Sequence, residues 1–467
     1  MFGKWVVGFV ASALITIESR EITEDALNRM RDNFLSDPRY RMAQNAATRN
    51  SIQDVAIDWN RFSTISHVFS HKLPLELQAT SQERSGRCWI FTVLNAMRPS
   101  VAKEYNLANF EFSQSYLFFW DKLEKANYFL ECVIESANQP TDSFDIIWLF
   151  HPMSLCQDGG TWHMAVNLIR KYGVVPQSVF PDSSVCMDSW RLNQILQMKL
   201  SEDGITLRKL IAEGVDNETV FSEKERMIEE IYRILSIHIG TPPQEFDWEF
   251  ADSEGKAHLY RELTPKSFYK EYVKADVEDY VQVVHSPRKK TPYYNMYTVK
   301  YIENVTEGEP YRAVNLPIDE MKGAVLRSLL DNKAVWCGCD VSKFSYTNLG
   351  VMDTKLYDFE LLYGIPFHTT KEERLEYRQT QAAHAMLFTG VNLVDDLPTK
   401  WRVENSWGTN VGHYGYFLMT DEWFDEYMID AAVHKKYLSP KALEALDLPP
   451  IQLEPWDPLY SCKQREK

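Results

Sequence analysis

The chain has 467 residues, more than one ordinary domain of about 100 to 200 residues holds, so two or three domains or one enlarged fold are expected. Hydrophobic residues at 45% with 13 Trp, 24 Tyr and 24 Phe exclude a disordered chain. A net charge of −16 excludes a chain-wide phosphate-binding surface, though not a local basic patch.

Residues 1–21 form an apolar N-terminal extension. Its core, residues 5–17, is interrupted by Gly8, Ser12 and Thr16 and falls short of the roughly 18 apolar residues of a membrane span, so no membrane is expected as a partner. With Ala11-Ser12-Ala13 as a small-residue cleavage site, the segment also fits a signal peptide. Under that alternative the sequons at Asn217 and Asn304 would be glycan acceptors. Seven cysteines, an odd and sparse set, favour a reducing compartment, hence a cytoplasmic protein.

Residues 22–66 are polar and helix-prone. At residues 85–105 a glycine-bearing loop opens a helix with Ile90, Val93, Leu94 and Met97 on one face, limited by Pro99. Asp158-Gly159-Gly160 turns into a second helix carrying Met164, Leu168, Ile169 and Tyr172 and closed by Gly173. Residues 190–330 read mainly as charged amphipathic helices, one signalled by a capping box at Ser222 and Glu225 and ended by Gly240 and Pro242-Pro243. Beyond Ala334 the pattern shortens into strands at 385–394, 400–403 and 414–419. Pro449, Pro450, Pro455 and Pro458 make the end an extended arm.

Cys88 stands at the start of a helix after Ser85-Gly86-Arg87, where the positive end of the helix dipole favours its thiolate. Gln82, six residues earlier, is placed to offer an amide donor that joins the Cys88 N–H around an acyl oxyanion. His384 opens one apolar strand and Asn405 closes the next, so a hairpin would set an imidazole beside the carbonyl that orients it. Trp407 is placed to cover that pair from water. The glycines Gly159 and Gly160 permit close approach of an extended substrate backbone, making them candidate substrate-binding residues.

Taken together, Gln82 with Ser85-Gly86-Arg87-Cys88-Trp89-Ile90-Phe91, His384-Ala385-Met386 and Trp401-Arg402-Val403-Glu404-Asn405-Ser406-Trp407-Gly408 resemble the bleomycin hydrolase branch of the papain-like cysteine peptidases. The likeness extends over Asp158-Gly159-Gly160-Thr161-Trp162, the stretch from Val335 to Asp340, and Trp456-Asp457-Pro458. It implies an α+β papain-like cysteine peptidase fold with helical insertions and an extended C-terminal arm. It also implies a cysteine aminopeptidase that works through a thioester acyl-enzyme, acting on N-terminal peptide and related amide or thiolactone bonds. By resemblance Cys88 is the nucleophile, His384 the base and acid, Asn405 its orienter and Gln82 the oxyanion donor, with no cofactor, peptide substrates and a homohexameric ring. The expected division is 22–190 for the helical half with the nucleophile, 191–330 for a helical insertion serving as lid or oligomerisation element, 331–440 for the β-rich half and 441–467 for the arm. Cys88 and His384 are 296 residues apart, against about 130 to 150 in simpler papain-like chains, which agrees with an insertion.

Three further signals are weaker. Cys337-Gly338-Cys339 lacks the second Cys or His pair of a tetrahedral zinc site, so no metal is expected. His67 and His71 lack the adjacent Glu of a metalloprotease helix. Arg288-Lys289-Lys290 beside Tyr293 and Tyr294 reads as a solvated loop, with nucleic acid as the alternative partner. The rival functions are a secreted or lysosomal papain-like endopeptidase and an inactive ring-forming, nucleic-acid-binding homologue. The charged ending after Pro458, with Lys463, Arg465 and Lys467, departs from the family's short apolar one, so strict aminopeptidase behaviour is expected only once those residues are trimmed.

Overall fold

The computed structural model describes residues 21–152, 154–275 and 277–460; the apolar extension up to Arg20 and the tail from Ser461, with the expectations placed on them, lie outside these residues. The chain forms two units, one joining the segment that ends at Ile57 to Asp358–Phe367, the other holding Asp58–Tyr357 and the chain from His368 onward. In the first unit α1 (Glu24–Ser36) is capped by Thr23, and α2 (Pro38–Ala47) begins with a proline after the capping Asp37. Neither helix buries a side chain, and Leu27, Met30 and Met42 are all more than half exposed.

The second unit is helical first and sheet-rich later. Its main helices are α3 (Cys88–Glu104), α4 (Gln114–Glu135), α5 (Trp162–Tyr172), α6 (Trp190–Ala212) and α7 (Asn217–His238). A two-stranded hairpin, β1 (Phe246–Ala251) and β2 (Ala257–Leu263), precedes β3 (Tyr280–Val284), β4 (Met296–Val299) and β5 (Ala313–Asn315). Then come α8 (Ile318–Leu330), β6 (Val335–Cys339), β7 (His384–Val394), β8 (Leu397–Glu404), β9 (Tyr416–Thr420), α9 (Asp421–Tyr427), β10 (Met428–His434), α10 (Pro440–Leu446) and β11 (Ile451–Leu453). One large sheet runs in the order β11-β4-β5-β3-β10-β6-β7-β8-β9 and ends in two short strands. One apolar core joins α3 to α7, and a second lies between the sheet and α8, α9 and α10.

The fold is α+β as expected, with three local corrections. Pro99 does not end α3, which runs on to Glu104 because Val101 and Ala102 are buried in the core and hold the last turn. The expected capping box at Ser222 falls inside α7, since Asp216 already accepts the Thr219 N–H at 3.0 Å and starts the helix earlier. The stretch expected to be helical to residue 330 turns into strands at Phe246. There buried Phe246 and Trp248 alternate with exposed Asp247 and Glu249, a period of two that the density of charged residues hid, and β3 to β5 join the large sheet.

Candidate active site

Cys88 is the first residue of α3, and it alone of the described cysteines is not buried. Arg87, the N-cap residue, gives the first turn no side-chain cap, so the dipole end stays open beside the thiol. The Arg87 side chain points inward instead, fully buried, and pairs with Asp182 at 2.9 Å while bonding Ser85 and Ser115. That anchor fixes the residue before the thiol. The Ala385 N–H donates to Cys88 Sγ at 3.5 Å, which brings the helix start against the first residues of β7.

His384 opens β7 opposite Cys339 of β6, and β7 folds back antiparallel into β8 with Leu387 opposite Glu404. The next residue, Asn405, lies beside the ring: His384 Nε2 is 2.7 Å from Asn405 Oδ1. That oxygen also accepts the Ser406 N–H at 2.8 Å, so two donors converge on it and Nε2 carries a proton in the pair. Nδ1 is thereby the nitrogen left for proton exchange. Trp407 stacks on the His384 ring with centroids 4.6 Å apart, covering one of its faces.

Gln82 comes from a loop that pairs with the segment after β8. Its N–H donates to the Ser406 C=O at 2.8 Å, its Oε1 accepts from Ser406 Oγ at 2.7 Å, and its amide nitrogen donates to the Ser85 C=O. An amide has two N–H groups, so one is engaged inside the loop.

Gly159 and Gly160 sit on a loop gripped from α4. Lys125 Nζ donates to the Gly159 C=O at 2.6 Å and the Gln157 C=O at 2.9 Å, and pairs with Asp121 at 2.7 Å. The Gly159 carbonyl is therefore taken, and it is Gly160 whose backbone carries no hydrogen bond among the described residues. A side chain at 160 would meet the Trp89 ring at 2.6 Å, which is why glycine stands there.

Sequence reasoning missed the buried polar groups that brace these elements. Glu404 accepts from Asn95 at 2.9 Å and Arg98 at 2.6 Å, tying the strand before Asn405 to the helix behind Cys88. Burial pushes its carboxyl up to about 7 despite Arg98. Asp158, Lys122 and Asp182 belong to the same set, and the available signal was the charged pairs Asp121-Lys122 and Glu124-Lys125 directly after the apolar, aromatic run from Tyr116 to Trp120 of α4.

The residues from Glu21 to Tyr460 match the profile of the Peptidase C1-like family. This chain belongs to that family. Within it, the chain is 39% identical to "Aminopeptidase C" of Lactobacillus delbrueckii subsp. lactis over 94% of its own length and 98% of the relative's. It is 42% identical to "Bleomycin hydrolase" of Rattus norvegicus, covering 91% and 95%. The crystal structure of PepW from Lactobacillus rhamnosis HN001 superposes with a TM-score of 0.91 at 40% identity, covering 94% and 98%.

In this C1-like chain the weaker signals fall elsewhere than at an open site. Cys337 and Cys339 are buried in β6, and burial holds both thiols well above the usual range. Arg288 is no solvated loop residue: it is buried and grips Asp457 of the arm through two hydrogen bonds, at 2.6 and 3.1 Å. Lys289 and Lys290 stay exposed as expected of a solvated loop, Lys290 lying 3.8 Å from Asp457, so Asp457 draws only Arg288 inward. Asn304 is fully buried and donates to Asp121 and the Met164 C=O, so this fold has no room for a glycan there. The arm starts as β11, parallel to β4, and leads into a cavity of about 300 Å³. Its lining includes Gly159 and Gln381 together with Trp456, Pro458 and Tyr460 of the arm. No helix of the described residues is long and apolar enough to cross a membrane.

Proposed function

We propose that the chain is a cysteine aminopeptidase that removes residues from peptide N-termini. The observation that carries this reading is an unburied thiol at an open helix start held against the residue that follows His384, whose Nε2 is held by Asn405; the arm in turn walls a cavity that Gly159 also lines. Cys88 Sγ, deprotonated by His384 Nδ1, attacks the scissile carbonyl, forming the C–S bond and an oxyanion met by the Cys88 N–H and the second N–H of Gln82. Collapse breaks the C–N bond, and the imidazolium protonates the departing amine. His384 then takes a proton from water, hydroxide attacks the thioester, the C–S bond breaks and the acid leaves with the thiolate restored.

The arm supports the restriction to N-termini, because Trp456, Pro458 and Tyr460 wall a cavity that reaches Gly159, beside the candidate substrate-binding Gly160. The names of the relatives at 39% and 42% identity support the same reading. Action on bleomycin-type amides and thiolactones, a cytoplasmic location and a homohexamer belong to the proposal as well. The exposed apolar side chains of α1 and α2 are surface that a second copy would cover. Peptide is favoured over nucleic acid because Arg288, the best cation for phosphate, is engaged by Asp457.

Matched peptides with free and acetylated N-termini, followed by mass spectrometry, test the reading. Stepwise loss of N-terminal residues from the free peptide, with the acetylated one left intact, is expected of the chain truncated behind Cys462. Internal cleavage of both would overturn it in favour of an endopeptidase.

A further inference from the structure

One carboxylate collects four hydrogen-bond donors from three places: α4, the loop before Cys88 and the start of α6. Asp158 Oδ1 accepts from Lys122 Nζ at 2.7 Å and Asn193 Nδ2 at 2.8 Å, while Oδ2 accepts the Gly86 N–H at 2.9 Å and the Ser189 hydroxyl. Both Asp158 and Lys122 are fully buried, and Lys122 also donates to the Cys156 C=O at 2.6 Å. Burying such a pair is costly and its net worth to stability small, so its presence asks for another account. Asparagine would turn an NH2 toward two of the four donors, which explains a charged residue here.

The same residue grips the chain on both sides of Cys88. Its side chain holds the amide of Gly86, two residues before the thiol, and its backbone C=O accepts the indole N–H of Trp89, one residue after, at 2.6 Å. It also leads directly into Gly159 and Gly160, and Gly160 lies against the Trp89 ring. The nucleophile's loop and the glycine loop are thereby one rigid piece.

We propose that Asp158 is a positioning residue for the nucleophile: bracketing Gly86 and Trp89, it fixes the Cys88 thiol and N–H against the scissile carbonyl, with Lys122 there to hold Asp158. The proposal rests on Cys88 being the nucleophile. Misplacement by about 1 Å costs on the order of 100-fold in rate, so the effect falls on kcat while ground-state binding is kept.

Two double variants separate this role from simple support of the fold, since both remove the buried charges together. In Lys122→Met/Asp158→Asn the amide oxygen still accepts the Gly86 N–H, and the Asn193 amide can turn its oxygen, which is without a partner, to the new NH2. In Lys122→Met/Asp158→Ala that acceptor is gone. The expected result is kcat within about threefold of wild type for the first and down about 10- to 100-fold for the second, KM staying within about threefold in both. Iodoacetamide alkylation of Cys88, read by peptide mapping, should slow in the second variant alone. Equal kcat in two variants of equal urea midpoint would overturn the proposal, as would a loss confined to KM. If the Asp158→Ala variant does not fold, Ser189→Ala/Asn193→Ala, which strips two of the four donors, must lower kcat with KM kept; unchanged kcat there overturns the proposal as well. Turnover that survives Cys88→Ala defeats the reading of the site itself, and the positioning role with it.

Discussion

Arg288 and Asp457 form a two-point ion pair out of solvent contact, at 2.6 and 3.1 Å, joining the loop after β3 to the C-terminal arm. Losing one partner leaves the other charge buried alone, at a cost of about 3 to 5 kcal/mol. That cost should be met by releasing the arm, because the arm is held beyond β11 by few other polar contacts of this strength. Arg288→Met is therefore expected to expose the chain after α10 to limited proteolysis and to open the cavity lined by Trp456 and Pro458. The accompanying readout is new cleavage of acetylated peptides.

Glu404 gives a second prediction. Glu404→Ala strands Arg98, which is itself buried, between α3 and β8, and is expected to lower the free energy of unfolding by about 3 to 5 kcal/mol in urea titrations. Glu404→Gln keeps an acceptor for Asn95 and Arg98 and should lose less. Equal losses would mean that the charge, and not the bridge, matters.

What was legible in the sequence was local. His384 and Asn405 sit at two ends of one hairpin, so alternation and a short turn sufficed to bring them together. Cys88 was marked by a glycine loop opening an amphipathic helix. The bracing groups were hidden because their partners are distant in sequence: Asp158 meets residues 86, 122, 189 and 193, and Arg288 meets Asp457, pairings that no periodicity announces. Arg288 was misread for the same reason, since a basic run looks solvated until the acid that buries it is known. The hairpin after Phe246 was missed because charged residues at exposed positions, Asp247 and Glu249 in β1 and Arg261 and Glu262 in β2, resemble a solvated helix face on a one-dimensional reading.

Asp430 contributes its own share to the pH dependence of stability. Burial in the sheet beside Gly338 pushes its carboxyl up to about 7 from an ordinary value near 4, against the hydrogen bond from Gln282 at 2.6 Å. Between those values the native chain holds a proton that the unfolded chain releases. The unfolded state binds fewer protons there, so stability falls as pH rises through this window, by about 1.4 kcal/mol per pH unit and on the order of 4 kcal/mol in all. Asp430→Asn removes this contribution. Urea midpoints from pH 4 to 8 should show the wild type losing stability relative to the variant as pH rises, and parallel curves would contradict the assignment.

The most direct measurement of the central claim is stoichiometric labelling with iodoacetamide, with residual activity followed alongside and the modified cysteine located by peptide mapping. Cys88 is the described thiol at an open helix start beside His384, whereas burial holds Cys132, Cys337 and Cys339 above their usual range. The account predicts that one label per chain, on Cys88, abolishes turnover in step with its incorporation, and that Asn405→Ala slows both labelling and turnover. Label on another cysteine with Cys88 untouched, or full activity in the Cys88-labelled chain, would contradict it.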